Sequence, residues 1–288
     1  MSADASDIAD TLAELQYRRR FYIKRLNMTE NALRAVTRRA LGWQWDMTEQ
    51  ERERLNNQAA RIVDALMNGK TLRANDREVA DVVSGDVEVM RQAREPMVKA
   101  RHEIEKQMRR EVRKLPVCSW AQGVRGLGEL ALAVIVAEAG DIGRYPNPGK
   151  LKRRLGLAPY KGHAPSTWRR ETWRERSLTA DEWTELGYDA TRLGELYGVV
   201  MEPMVKSQGA YKALYDAEKA RFAPKAQKPM HAHRHALRVM TQELVINLWR
   251  VWHGYEPRTT KLPAQPDGGG QRTCDTHWPP AAAEPVAA

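Results

Sequence analysis

Val124-Arg125-Gly126-Leu127-Gly128, followed at once by Glu129-Leu130-Ala131-Leu132-Ala133-Val134-Ile135-Val136-Ala137-Glu138-Ala139, is the stretch on which the fold turns. An apolar-x-Gly-apolar-Gly turn that leads into an apolar helix is the signature of a helix-hairpin-helix. Glycine has no Cβ, so it accepts positive φ and lets another group come close to the backbone. The helix that follows aims its unsatisfied N–H groups and the positive end of its dipole at that group, a setting that suits a phosphate. Such a contact ignores base identity; it would position a nucleic acid without reading it. The same spelling also suits a helix–helix turn whose glycines serve packing alone, and the five residues by themselves favour that plainer account.

Upstream, the hydrophobic spacing is that of long helices. Ile8, Leu12, Leu15, Tyr22, Leu26, Leu33 and Val36 follow steps of four and three, with Arg19 and Thr29 interrupting the seam. A shorter helix follows with Leu55, Ile62, Val63 and Leu66 on one face, ending at Asn68-Gly69. A second long helix carries Val83, Val87, Met90, Met97, Ile104 and Met108, with Arg94 and Arg101 on its seam. The pattern predicts a helical hairpin or coiled coil, or an extended helical bundle, over residues 1–115, with no alternating strand pattern anywhere before Leu115. Pro116 breaks the second long helix.

Downstream, residues 117–159 are compact, apolar and punctuated by glycine, and residues 160–176 are polar and rich in Trp and Arg. Helices resume at the capping-box spacing Thr179-Ala180-Asp181-Glu182. Others are expected over residues 191–201, 211–222 and 229–253, the last burying Leu237, Met240, Leu244, Leu248 and Trp252. The expected class is all-α, with a second helical domain over residues 116–256. The Pro-, Gly- and Ala-rich tail, residues 257–288, is expected to be disordered because it cannot bury a core.

Of the 288 residues, 47 are Lys or Arg and 37 Asp or Glu, giving a net charge of +10 and a pI near 9.7. A surplus of that size favours a polyanionic partner, since each cation that neutralises a phosphate releases condensed counterions. Cys118 and Cys274 are the only cysteines, so neither a disulfide framework nor a cysteine zinc site can be built. The start of the chain lacks a basic-then-apolar leader, and the longest apolar run, residues 130–137, is far shorter than the roughly twenty residues that cross a bilayer. A cytoplasmic protein without membrane contact is expected.

Beyond the hairpin, the chain continues Ala137-Glu138-Ala139-Gly140-Asp141-Ile142-Gly143-Arg144-Tyr145-Pro146-Asn147-Pro148-Gly149-Lys150-Leu151, and then Leu155-Gly156-Leu157-Ala158-Pro159. In order and spacing this block resembles the C-terminal domain of the "insertion sequence one-ten" (also "one-sixteen") transposases, which are RNA-guided (bridge-RNA) recombinases. A looser echo follows in Tyr211-Lys212-Ala213-Leu214-Tyr215 and in the segment from His231 to Arg238. The resemblance covers roughly residues 117–252. It implies DNA binding in transposition or recombination on a bacterial nucleoid, a transposon end or branched DNA as substrate, and a guide RNA as a possible second ligand. It also implies a serine nucleophile shortly after the Leu-Gly-Leu-Ala-Pro motif and four metal-binding carboxylates on a separate resolvase-like domain. No strand-rich first domain is expected here, and Asp10, Glu14 and Glu30 read as solvated helix faces, so neither the carboxylate site nor a cofactor is expected. Whether the chain is an enzyme stays open.

Ser166 is the position the resemblance offers for the nucleophile, with His163, Arg169 and Arg170 as neighbours able to activate it. Thr167 follows it where the family has glycine, so a loop serine without a chemical role is the preferred account. Gly126 and Gly128, with Lys150, Lys152, Arg153, Arg154, Lys161, Arg169, Arg170 and Arg174, and Arg176 beyond them, form the expected DNA-binding set; Tyr160, Trp168 and Trp173 lie between. Arg18, Arg19, Arg20, Lys24 and Arg25, with Arg34, Arg38 and Arg39, make a second basic run that equally suits a solvated helix face. His231 and His235 would share a helix face with His233 pointing away. Phosphate contact with Lys225, Lys228, Arg234 and Arg238 suits them better than metal. An oligomer formed through the heptads is expected. Two other functions remain open: a serine recombinase completed by a partner, and a structural coiled coil that binds no DNA.

Overall fold

The computed structural model describes residues 3–158, 190–259 and 262. Its regular elements are helical throughout, and no strand occurs among the described residues. Contacts divide the chain into two compact units, one formed by Tyr17–Gln107 and the other by Met1–Gln16 with Met108–Ala288. The divisions thus fall inside the two long helices, where the sequence pattern suggests one boundary at Pro116. Among the described residues no helix is long and apolar enough to cross a membrane.

The unit Tyr17–Gln107 is built from α1 (Ala3–Ala40), α2 (Glu49–Asn68) and α3 (Arg77–Val112). Its seam follows the heptad spacing but is more polar than hydrophobicity alone suggests. Arg19, expected to interrupt it, is buried and donates from Nε to Glu105 at 3.0 Å. Arg94 donates to the Leu26 carbonyl at 2.9 Å and to the Thr29 hydroxyl at 3.2 Å, and lies 3.7 Å from Glu30. These partners descend along α3 as they ascend α1, the order of an antiparallel pair. Glu30 is therefore a half-buried seam residue, also bonded to Arg34, and not simply a solvated carboxylate. Val36 is exposed, and Thr37 takes the buried place one residue later, its hydroxyl donating to the Leu33 carbonyl at 2.9 Å. A threonine can occupy that position because the backbone of its own helix satisfies its only strong donor.

At the open end of the pair, Leu33, Ile62, Val63, Ala80, Val83 and Val87 form one apolar cluster, flanked by Leu41, Leu66, Leu72 and Met90. Thr48 and Glu51 start α2 with a reciprocal capping box, and Gly69 ends it at φ +62°. Asp76, buried before α3, is held by Arg61 through two bonds of 2.9 and 3.0 Å and by Gln58 at 2.9 Å. The Arg61 guanidinium keeps its carboxyl below the usual carboxylate range.

The other unit centres on α5 (Glu129–Ala139), buried almost all round, as its near-continuous apolar sequence demands. The remaining elements are α4 (Val117–Gly123), α6 (Pro148–Arg154), α7 (Ala190–Leu196), a π-helical turn Tyr197–Met201, α8 (Glu202–Lys206), α9 (Ala210–Phe222) and α10 (Pro229–Trp252). Pro203 explains the widened turn. It has no N–H to give, and its ring crowds the carbonyl four residues earlier. The buried Glu138 accepts from Gln16 at 2.9 Å, which ties the start of α1 to the end of α5. The set expected inside α10, Leu237, Met240, Leu244, Leu248 and Trp252, is buried.

Order continues past Pro257, where a disordered tail is expected to begin. Arg258 donates its backbone N–H to Asn247 Oδ1 at 2.8 Å, its carbonyl accepts from Asn247 Nδ2 at 3.1 Å, and its guanidinium reaches Glu243. The reason is polar satisfaction: Asn247 and Glu243 are buried on α10 and require partners. Asn247 also donates to the Tyr211 hydroxyl at 2.9 Å, whose pKa burial pushes up to about 12. The tail beyond residue 259, residue 262 apart, lies outside the described residues.

Two substitutions test these supports. Glu105→Ala removes a buried carboxylate that bonds the Arg19 guanidinium and should lower unfolding free energy in urea by about 2 kcal/mol or more. Thr48→Ala removes only a helix cap and should cost about 1 kcal/mol in the same assay.

Candidate nucleic-acid interface

The hairpin turn joins α4 to α5 in the way its sequence suggests. Val124 is extended, Leu127 is buried and donates back to the Val124 carbonyl at 3.0 Å, and Gly126 sits at φ +88°. The two glycines nevertheless do different work. A Cβ on Gly126 would stand 2.8 Å from the Met204 Cα and 2.6 Å from the Ser207 Oγ, so the turn lies directly against the end of α8. Arg125 extends the same contact by donating to the Gln208 carbonyl at 3.0 Å, while the Ser207 hydroxyl lies between two carbonyl acceptors, Met204 at 2.7 Å and Arg125 at 3.2 Å. Gly209 completes it, since a Cβ there would meet Arg125 Cβ at 2.9 Å. Gly126 is thus used for packing. Sequence reasoning missed this partner, whose only trace is the short Ser207-Gln208-Gly209 turn.

Gly128 is the open glycine. It is exposed, has an ordinary φ of −75°, meets nothing where a Cβ would stand, and no side chain caps the helix it begins. Of the two glycines expected to free the backbone, only Gly126 needs positive φ. The first turn of α5 also holds Glu129, whose carboxylate takes two bonds from Arg113 at 2.6 and 2.7 Å. Arg113 holds that carboxyl below its usual range and offsets its charge at the helix mouth.

The Leu-Gly-Leu motif has a local explanation. Asn147 caps α6 by accepting from the Lys150 N–H at 3.0 Å, with Pro148 in the first turn. At the other end Gly156, at φ +71°, donates to the Arg153 carbonyl at 3.0 Å and Leu157 donates to the Lys152 carbonyl at 2.9 Å. This pair of bonds is a Schellman motif, and it turns Leu155 and Leu157 into the core beside Leu151. The inward leucines fix which way the cations face. Lys150 and Arg154 are exposed, and Lys152 and Arg153 are half-buried.

α6 packs on α10 in antiparallel order: Trp249 Nε1 donates to the Tyr145 carbonyl at 2.8 Å, and Gln242 donates to the Leu157 carbonyl at 2.5 Å. From Gln242 toward its start, α10 presents Arg238, half-buried, and then the exposed Arg234, with Lys228 and Lys225 just before it. α6 therefore packs on the second half of α10, and Arg234, Lys228 and Lys225 lie beyond it, toward the start of that helix. The histidines there have other tasks. His233 Nδ1 is 2.8 Å from the Tyr215 hydroxyl, and His235 stacks on Phe222 with ring centres 4.1 Å apart. Burial and the nearby Arg238 push the His235 pKa below its usual value, which disfavours the charged ring there. His231 is exposed. Among the described residues no three His, Cys, Asp or Glu side chains gather where they could hold a metal ion.

Ser166, with Lys161, Arg169, Arg170, Arg174 and Arg176, and with Tyr160, Trp168, Trp173 and the helix start at Thr179, lies outside the described residues. No family model, curated protein or solved structure matches the chain.

The contrast between the two glycines can be tested directly. Gly126→Ala combines a strained backbone with overlap on the α8 backbone and should cost at least about 2 kcal/mol in urea unfolding. Gly128→Ala should be within about 0.5 kcal/mol of the parent in that measurement.

Proposed function

We propose that this chain is a DNA-binding protein of the transposase type, acting in DNA transposition or recombination on the bacterial nucleoid, in the cytoplasm, and gripping the DNA backbone without reading its sequence. The observation that carries this reading is the α6–α10 pair. Leucines anchored inward leave Lys150 and Arg154 facing out, and the exposed Arg234 on α10 and Lys228 just before it add further cations to the same unit. Cations on rigid elements are what phosphate contact requires, because the salt-dependent release of counterions supplies most of such affinity. The resemblance of residues 124–159 to the transposase block agrees with it, and branched DNA or a transposon end is the substrate that resemblance suggests.

The grip differs in one respect from that of a simple helix-hairpin-helix. With Gly126 committed to α8, the open backbone is that of Gly128 and the first turn of α5, and Arg113 offsets the acid that stands there. The helix pair supplies the greater part of the charge. The heptad helices are the proposed route to a homo-oligomer.

Replacing Lys150 and Arg154 together by Glu should weaken binding to a four-way junction and to linear duplex by at least about ten-fold. It should also reduce the slope of log affinity against log salt by about 2. Fluorescence anisotropy at several salt concentrations reads both quantities. An unchanged affinity and slope would remove the α6–α10 pair from the interface.

A further inference from the structure

The side of α1 that faces away from its seam, within the unit Tyr17–Gln107, is unusual for a solvent-facing helix. Tyr17 is 72% exposed, and Phe21 and Met28 are each 51% exposed. With Lys24 they follow steps of four, three and four residues, so the four side chains form one stripe opposite Arg19, Leu26 and Leu33. Arg18 and Arg25 flank the stripe, and the Arg25 guanidinium lies 5.2 Å from the centre of the Phe21 ring. Arg39 extends the charge along the helix. The only acid between Tyr17 and Trp45 is Glu30, and its carboxylate is turned to Arg34 and Arg94. From Tyr17 on, the outer face therefore offers rings, a thioether and positive charge, and its acids, Asp10 and Glu14, stand only at the start of the helix before Tyr17.

That combination narrows the occupant. A second copy laid symmetrically on this face would set Arg18, Lys24 and Arg25 against the same residues, and like charges in contact oppose association. Duplex DNA would satisfy the cations, but its bases are already stacked inside and would leave Tyr17 and Phe21 in water. An unpaired strand satisfies both parts, with phosphates on Lys and Arg and bases stacked on the rings. Tyr17 and Phe21 are four residues apart, a rise of about 6 Å along the helix, so successive bases can each take one ring.

We propose that the outer face of α1, from Tyr17 to Arg39, is a binding site for an unpaired DNA strand, distinct from the duplex grip of α6 and α10. The choice of DNA over RNA rests on the function proposed above, because joining and branching DNA exposes single strands; the stacking site itself does not.

The test uses the full chain and a labelled oligothymidylate, read by fluorescence anisotropy beside a labelled four-way junction. Both rings are exposed, so the double variant Tyr17→Ala/Phe21→Ala keeps the parent's thermal unfolding midpoint. It should bind the oligothymidylate at least about ten-fold more weakly and the junction within about two-fold of the parent. The variant Lys150→Glu/Arg154→Glu should do the reverse. Unchanged oligothymidylate binding in the ring variant overturns the site, also where that variant instead loses a dimer seen by sedimentation, which would make a second copy the occupant. A ring-dependent preference of about ten-fold or more for oligouridylate overturns DNA as the occupant. If the α6 variant keeps full junction binding while the ring variant loses the strand, the duplex grip fails and the strand site stands.

Discussion

The close approach of the Gly126 backbone to the end of α8 is the constraint on which the second unit depends. A Cβ at that position would reach the Met204 Cα at 2.8 Å, closer than two carbons can stand. The contact is closed from both sides, since Gly209 makes equal room for Arg125, and the hydrogen bonds of Arg125 and Ser207 join the two turns. Through it the α4–α5 hairpin is tied to the chain that runs on through α9 into α10, and α10 in turn seats α6. The direction in which Lys150 and Arg154 point therefore follows from packing, beginning at a residue without a side chain. Glycine here is a structural requirement first, and of the two hairpin glycines only Gly128 stands open.

Polar groups hold the long helices at positions where the heptad pattern is interrupted. Arg19 with Glu105, and Arg94 with the backbone of Leu26, occupy seam positions at which a leucine would also fit. Buried pairs of this kind add little net stability compared with apolar residues of the same size, because removing both charges from water offsets their attraction. They penalise any register in which one partner is left alone. The polar seam thus fixes the alignment of α1 with α3 more than it strengthens it.

The parts of the fold legible in the sequence are those set by local spacing. The interior of α10, the seam positions Leu12, Leu26, Leu33, Val83, Val87, Ile104 and Met108, and the stop at Gly69 are all written within a few turns of chain. The orientation of α6 is not, because Leu155 and Leu157, two residues apart, go inward beside Leu151 only through the Schellman turn at Gly156. Long-range partners were not legible. Ser207 and Gly209 lie some eighty residues from Arg125, and nothing near Gly126 names them. Arg258 reads as the start of a tail until Asn247 and Glu243 are seen to need it. Val36 and Thr37 exchanged roles because hydropathy favours valine, whereas the seam's steps of seven and four fall on threonine.

Charge and fold meet on two surfaces of different character: rigid cations on α6 and α10, and cations mixed with exposed rings on α1. The central claim joining them is that the positive surplus serves a nucleic-acid backbone. The most direct measurement is the affinity of the unaltered full chain for a four-way junction across a range of salt concentrations. The account predicts binding whose logarithm falls linearly with the logarithm of salt, with a slope of several units, one for each phosphate neutralised. No binding at low salt, or binding indifferent to salt, would contradict it.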